Sequence, residues 1–92
     1  MERIVQVVPD AGLHARPAAE FVKTANEFDC DLTIGPEDGE TEVNARSTIA
    51  VTGLSVESGD SVRIVADGDD AEAALDALED VLSTPETDEQ ES

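Results

Sequence analysis

The stretch Ser61–Leu82, SVRIVADGDDAEAALDALEDVL, changes its hydrophobic period halfway along. Every second residue from Val62 to Ala66 is apolar, which is typical of a strand with one buried face. Beyond Asp69 and Asp70, either of which can cap a helix, apolar residues recur at helical spacing. These residues are Ala71, Ala74, Leu75, Leu78, Val81 and Leu82. The stretch therefore predicts a strand followed by an amphipathic helix.

A strand and a helix are also predicted at the N-terminal end. Residues 2–8 are rich in β-branched side chains and are followed by Pro9, which indicates a strand. After a loop over residues 9–15, Pro17 suits the first turn of a helix, where no backbone donor is needed. The apolar residues that follow have the spacing of a helix face: Ala18, Phe21, Val22, Ala25 and Phe28.

The middle of the chain predicts a hairpin and a short helix. Apolar residues alternate around Leu32 and Ile34 and again over residues 41–45, with a turn sequence at 36–39 between them. A short helix is predicted over residues 47–52. Because alternating strands bury one face, the helices cover that face and the other meets water. The predicted fold is a two-layer α+β sandwich.

The composition excludes several classes of protein. The 92 residues carry 23 acids and 5 bases, a net charge of -18, which argues against binding to nucleic acids and anionic membranes. No apolar run spans a bilayer, and the single Cys30 is expected to be a small core residue in a cytoplasmic protein. The negative charges of so acidic a chain repel one another at low salt and are screened at high salt. We therefore expect the protein to come from the salt-rich cytoplasm of an extreme halophile. We expect a folded domain over residues 1–84 and a disordered acidic tail over 85–92.

The sequence Gly12-Leu13-His14-Ala15-Arg16-Pro17 places the single histidine where the first helix begins. Helix N-termini offer unpaired N–H groups and a positive dipole end, and Arg16 adds a guanidinium that fits phosphate oxygens. A neutral imidazole is a nucleophile that can carry a covalent phosphoryl group. The alternative is a solvated loop histidine or a helix cap. Since His14 has no His or Cys at ligand spacing, no metal site is expected.

A second candidate is Arg46-Ser47, at the start of the short helix. One interpretation makes Ser47 a helix N-cap, because a hydroxyl oxygen there accepts a backbone hydrogen bond. The other makes Ser47 a regulatory phosphorylation site, since added negative charge at a helix N-terminus is tolerated locally.

Two motifs of the chain resemble the HPr family, the histidine-containing phosphocarriers of the phosphoenolpyruvate-dependent sugar phosphotransferase system. One is Gly12-Leu13-His14-Ala15-Arg16-Pro17-Ala18-Ala19, and the other is Val43-Asn44-Ala45-Arg46-Ser47-Thr48-Ile49. The resemblance covers about residues 2–83. It implies a four-stranded antiparallel sheet with three helices on one face, in the order βαββαβα.

The resemblance also implies roles for individual residues. His14 matches the histidine that is phosphorylated on Nδ1, and Arg16 matches the arginine that steadies the phosphate. Pro17 and Ala18 match the helix start whose amides face the phosphate. Ser47, after Arg46, matches the serine that a dedicated kinase phosphorylates in some bacteria, although Thr48 replaces a common apolar residue.

Docking is expected to depend more on apolar contact than is usual in the family. Asn26 and Ala50 occupy positions that are often lysine, and high salt weakens charge steering. The residues expected to dock partners are Ala18, Lys23 and Ile49.

The implied function is that of a monomeric phosphocarrier, which needs no cofactor and is not an enzyme that turns over alone. Enzyme I supplies the phosphoryl group, and an enzyme IIA domain of a sugar permease, with the fructose type among the candidates, receives it. Two alternatives stay open. One is a regulatory interaction protein acting through phosphorylated Ser47, and the other is a carrier for a dihydroxyacetone kinase or a nitrogen-related branch.

Overall fold

The computed structural model describes residues 1–84 and contains the predicted order of elements. The strands are β1 (Glu2–Gln6), β2 (Asp31–Pro36), β3 (Val43–Asn44) and β4 (Ser61–Asp67). The helices are α1 (Ala15–Ala25), α2 (Thr48–Thr52) and α3 (Ala71–Ser83). The predicted tail, residues 85–92, lies outside the described residues. Within residues 1–84, no helix is long and apolar enough to cross a membrane.

The sheet has the strand order β1-β4-β2-β3, and every neighbouring pair is antiparallel. Val5 pairs with Val62, and Ile34 pairs with Ile64, so these buried side chains share one face of the sheet. The opposite face carries exposed or half-buried side chains: Ile4, Thr33, Arg63 and Val65. The predicted α+β class and open-faced arrangement are confirmed.

The helices cover the apolar face of the sheet. Helix α3 packs on β1 and β4, and α1 packs on both α3 and α2. The largest fully buried side chains of this core include Leu13, Phe21, Ile34, Ile64, Leu75, Leu78 and Leu82. Burying one such side chain stabilises the fold by about 1.5–3 kcal/mol. The core is almost entirely aliphatic because the chain contains two phenylalanines and no other aromatic residue.

Helix α1 begins and ends earlier than the sequence predicts. It begins at Ala15, so Pro17 lies in its first turn as expected. It ends at Ala25, where the Asn26 side chain donates to a carbonyl one turn earlier (2.9 Å). The prediction that the helix continues to Phe28 is therefore wrong. Phe28 nevertheless packs against the core from the loop that follows.

Strands β1 and β3 are shorter than predicted. β1 ends at Gln6 rather than at residue 8. The N–H groups of Val7 and Val8 donate instead to carbonyl oxygens in a turn before β4 and in α3, at 2.8 Å each. β3 is limited to Val43–Asn44 instead of residues 41–45. The hairpin between β2 and β3 is confirmed.

Asp70 occupies the N-cap position of α3, but its side chain does not cap the helix. Its carboxylate accepts hydrogen bonds from the N–H groups of Asp29 (3.0 Å) and Cys30 (3.1 Å), which belong to the loop between α1 and β2. The bond from Asp29 is the main reason that the pKa of Asp70 lies below its ordinary value. Cys30 is buried, as predicted, and this burial raises the pKa of its thiol.

Candidate functional site

His14 occupies the N-cap position of α1 and is half-buried. Its backbone is extended (φ -135°, ψ 167°), and its side chain makes no capping hydrogen bond. Within residues 1–84 the imidazole has no hydrogen-bonded protein partner, so the interpretation of His14 as a side-chain helix cap is wrong. The ring nitrogens remain available for chemistry at the helix start.

The loop before His14 packs closely against the segment that follows α2. The N–H of Leu13 donates to the carbonyl oxygen of Val56 at 2.9 Å, and the Leu13 side chain is fully buried. Gly12 has a positive φ of 71°, and a Cβ there would lie 2.6 Å from the Val56 carbonyl oxygen and 2.7 Å from the Glu57 Cα. A glycine is therefore required both for the backbone angle and for this close approach.

Ala15, the first residue of α1, has a φ of 54°. A non-glycine residue in this left-handed region carries backbone strain of about 1–2 kcal/mol. Such strain persists only where the surrounding structure imposes it. Here it lies directly beside His14. The sequence does not reveal it, because alanine is not a residue type that favours a left-handed angle.

The N-terminus of α1 presents two backbone donors without an acceptor in the described part of the chain. They are the N–H groups of Ala15 and Arg16. Pro17 has no N–H, and the Ala18 N–H is directed at the His14 carbonyl oxygen, 3.4 Å away. The expectation that Pro17 and Ala18 supply the phosphate-facing amides is corrected accordingly. The suitable donors, Ala15 and Arg16, lie two residues closer to His14.

Arg16 and Lys23 are the two basic residues whose side chains form neither an ion pair nor a hydrogen bond within residues 1–84. Both are exposed on α1. They are seven residues apart, so they share one side of the helix, roughly 10 Å apart along its axis. On a chain with a net charge of -18, this places the uncommitted positive charge on the helix whose N-cap is His14.

The other three bases are engaged elsewhere. Arg3 pairs with Asp76 (2.5 Å) and Glu79 (2.9 Å) of α3, which ties β1 to that helix. The Arg63 guanidinium donates to the carbonyl oxygen of Glu37 at 3.2 Å. The Arg46 guanidinium donates to two backbone carbonyl oxygens. Arg16 is therefore distinguished from these arginines by its lack of intramolecular partners.

Ser47 is the N-cap of α2, and its hydroxyl oxygen accepts a hydrogen bond from the Ala50 N–H at 3.2 Å. The N-cap interpretation of Ser47 is confirmed. The Arg46 guanidinium donates to the carbonyl oxygens of Phe28 (2.5 Å) and Cys30 (2.7 Å). Arg46 therefore links the start of α2 to the loop after α1, a structural contact that the sequence does not indicate.

The three residues expected to dock partners differ in exposure. Ile49 is 85% exposed on α2, and Lys23 is exposed on α1. Ala18 is 0% exposed, because its methyl group packs in the core beneath α1. The expectation that Ala18 contacts a partner is therefore wrong. Within residues 1–84, no group of three or more His, Cys, Asp or Glu side chains is arranged to hold a metal ion.

A family model described as "PTS HPr component phosphorylation site" matches residues 1–84. A phosphocarrier protein HPr from Haloferax volcanii, a halophile, is 65% identical to this chain over 86 residues. The match covers 94% of this chain and 97% of the relative. The chain belongs to the HPr family, the phosphocarriers of the phosphotransferase system. The halophilic relative fits the expectation drawn from the acidic composition.

Solved HPr structures have the same fold. The crystal structure of HPr-C-His from Thermoanaerobacter tengcongensis superposes with a TM-score of 0.84 at 37% identity, covering 90% of this chain and 91% of that chain. A crystal structure of an HPr dimer from the same organism has a TM-score of 0.69 at 39% identity, covering 86% and 88%. The open-faced sandwich predicted from the sequence is thus the fold of the family.

Proposed function

We propose that His14 is the phosphoacceptor of this HPr family member. Its Nδ1 takes a phosphoryl group from phosphorylated enzyme I and passes it to an enzyme IIA domain of a sugar permease, with the fructose type among the candidates. The protein acts as a cytoplasmic monomer. One observation carries the proposal: a partnerless imidazole adjoins two backbone N–H groups that have no acceptor within residues 1–84.

The phosphoryl transfer needs no reactant besides the donor, His14 and the acceptor. The neutral imidazole keeps its proton on Nε2 and attacks phosphorus with the lone pair of Nδ1. The Nδ1–P bond forms as the bond between phosphorus and the donor breaks, and the donor leaves with that electron pair. In the second transfer an acceptor nucleophile attacks phosphorus, and the electron pair of the Nδ1–P bond returns to His14.

The phosphate on His14 would be stabilised by the start of α1. The N–H groups of Ala15 and Arg16, together with the dipole of α1, favour a negative group at this position. The exposed Arg16 guanidinium can add charge-assisted hydrogen bonds, which are about twice as strong as neutral ones. These groups offset the repulsion that a phosphate would meet on so acidic a protein.

Partner docking is proposed to use the side of the molecule formed by α1 and α2. The two helices pack together, so the exposed Ile49 lies on the helix adjacent to the one that carries Arg16 and Lys23. An exposed aliphatic side chain contributes affinity by burial, which salt does not screen. Ile49 is thus suited to docking in concentrated salt, with Lys23 as a smaller contribution.

Phosphorylation of Ser47 is the second candidate function. Ser47 is half-buried at the start of α2, two residues before the docking residue Ile49. A phosphate at this position would place negative charge beside the docking side. Because Arg46 is committed to two carbonyl groups, we propose that a phosphate on Ser47 acts on partners rather than by rearranging the domain.

The test is incubation with phosphoenolpyruvate and the cognate enzyme I in molar KCl, followed by intact-mass analysis. We expect the mass gain of one acid-labile phosphoryl group, its absence in His14→Ala, and its presence in Ser47→Ala. No gain, with enzyme I shown to be active on another carrier, would contradict the proposal and favour the regulatory function of Ser47. Offering the phosphorylated protein to fructose-type and nitrogen-related enzyme IIA domains and to a dihydroxyacetone kinase subunit then identifies the branch.

A further inference from the structure

The turn formed by residues 56–60, between α2 and β4, is hydrogen-bonded to the residue just before the loop that precedes His14 and to the loop itself. Before the loop, the N–H of Gly59 donates to the Val7 carbonyl oxygen, and the N–H of Val7 donates to the Asp60 carbonyl oxygen, both at 2.8 Å. Within the loop, the Leu13 N–H donates to the Val56 carbonyl oxygen at 2.9 Å. Turn 56–60 therefore fixes the position at which the loop starts and the position of His14 near its end.

Asp60 closes this turn through its side chain. Its carboxylate oxygen Oδ2 accepts a hydrogen bond from the Glu57 N–H at 3.0 Å, and its own N–H donates to the Glu57 carbonyl oxygen at 3.0 Å. Glu57 is also the residue whose Cα would lie 2.7 Å from a Cβ at Gly12. The same few atoms thus define both the turn and the surface on which the loop rests.

We infer that Asp60 is a positioning residue for His14, acting through turn 56–60. The inference rests on the proposed function of His14 as the phosphoacceptor. Without the carboxylate, the Glu57 N–H loses its acceptor, and the peptide that carries the Val56 carbonyl oxygen is free to rotate. The Leu13 N–H then loses its fixed partner. His14 follows Leu13 directly, so its alignment with the helix donors is lost.

The inference predicts a change in rate rather than in docking. A displacement of about 1 Å at a reacting group can lower a rate by as much as a hundredfold. We expect Asp60→Ala to lower kcat for phosphorylation by enzyme I by about tenfold or more, with KM for the carrier unchanged, because Ile49 and Lys23 are untouched. Asp60→Asn keeps an oxygen that can accept the Glu57 N–H, and it should restore most of the rate.

The experiment measures kcat, KM and Tm for the wild type, Asp60→Ala, Asp60→Asn and Arg3→Ala. Arg3→Ala is the control for general destabilisation, because Arg3 pairs with α3 away from the loop. If Asp60→Ala does not fold, Asp60→Ser replaces it, since its side chain is one atom too short to reach the Glu57 N–H. A lowered kcat that Asp60→Asn restores and that Arg3→Ala does not reproduce supports the inference.

Three results would overturn the inference. A folded Asp60→Ala with wild-type kcat would show that the turn does not position His14. A kcat loss equal to that of Arg3→Ala at the same loss of Tm would show a merely structural role. Failure of Asp60→Asn to restore the rate would remove the hydrogen bond as the cause. A wild type that takes no phosphoryl group would instead refute the proposed function, and the inference with it.

Discussion

Helices α1 and α3 begin in opposite ways, although each follows a strand of the same sheet. At the start of α1, His14 has no side-chain hydrogen bond, and Ala15 is held at a φ of 54°. At the start of α3, the Asp70 carboxylate accepts hydrogen bonds from the N–H groups of Asp29 and Cys30. The N-cap side chain of α1 stays available, while the N-cap side chain of α3 is committed to the fold.

The charged side chains near the two helix starts differ in the same way, with an available one at α1 and a committed one at α3. Arg16, after His14, has no ion-pair partner within residues 1–84, whereas Asp70 joins two loops and its pKa is lowered by the Asp29 N–H. Backbone strain of the kind found at Ala15 costs stability and persists only where the surrounding structure imposes it. The comparison indicates that changes at α1 should affect phosphoryl transfer and changes at α3 should affect folding.

The largest of these effects is a loss in the rate of phosphoryl transfer, and it is expected for Arg16→Ala. The guanidinium has no intramolecular ion pair in the described part of the chain, so its loss should leave Tm nearly unchanged. Removing one charge-stabilising donor typically costs about a hundredfold in rate, and the exposure of Arg16 places the expected loss at about tenfold to a hundredfold. Initial rates of phosphorylation by enzyme I measure it. Arg63→Ala, on the opposite face of the sheet, is the matched control and should transfer at the wild-type rate.

The converse result is expected for Asp70→Ala, which should lower the free energy of unfolding and leave phosphoryl transfer intact. Because the folded pKa of Asp70 lies below its unfolded value, its contribution to stability is fully present above about pH 4. That contribution is lost as the pH falls through the folded pKa. The difference in stability between the wild type and Asp70→Ala, measured by urea unfolding from pH 7 down to pH 2, should therefore shrink towards zero. A difference that stays constant with pH would rule out the carboxylate as its cause.

The smallest effect is expected for Ala15→Gly. Glycine adopts a φ of 54° without strain, so the variant should be more stable than the wild type by up to about 1 kcal/mol. Ala19→Gly is the control, because Ala19 is exposed within α1 and glycine there should destabilise by about 1 kcal/mol. Chemical denaturation of both variants measures the difference. If both are destabilised equally, the left-handed angle at residue 15 carries no strain.

The fold could be predicted from the sequence because hydrophobic period and turn residues specify each element locally. The alternation over Val62–Ala66 and the apolar stripe of α3 correspond directly to buried positions. Element ends were less predictable. The apolar residue Phe28 keeps the helical spacing but packs from a loop, since burial does not require that the residue be helical.

The candidate site could be predicted in its residue types but not in its backbone. His14, Arg16 and Ser47 were recognisable from the motifs and their positions at helix starts. The left-handed Ala15, the corrected set of donor amides and the contact of Leu13 with Val56 were not. They depend on which loops meet in space. The same is true of Asp70, whose partners lie about 40 residues away in the chain.

The central claim is that the two helix starts differ in what they can bind, and amide NMR spectra test it most directly. Spectra of uniformly 15N-labelled protein are recorded in molar KCl before and after phosphorylation by enzyme I. The amide protons of Ala15 and Arg16 should move downfield as they donate to the phosphate, while those of Ala71 and Glu72 at the start of α3 stay in place. A phosphorylated protein whose Ala15 and Arg16 amides do not move, or whose α3 amides move equally, would contradict the account.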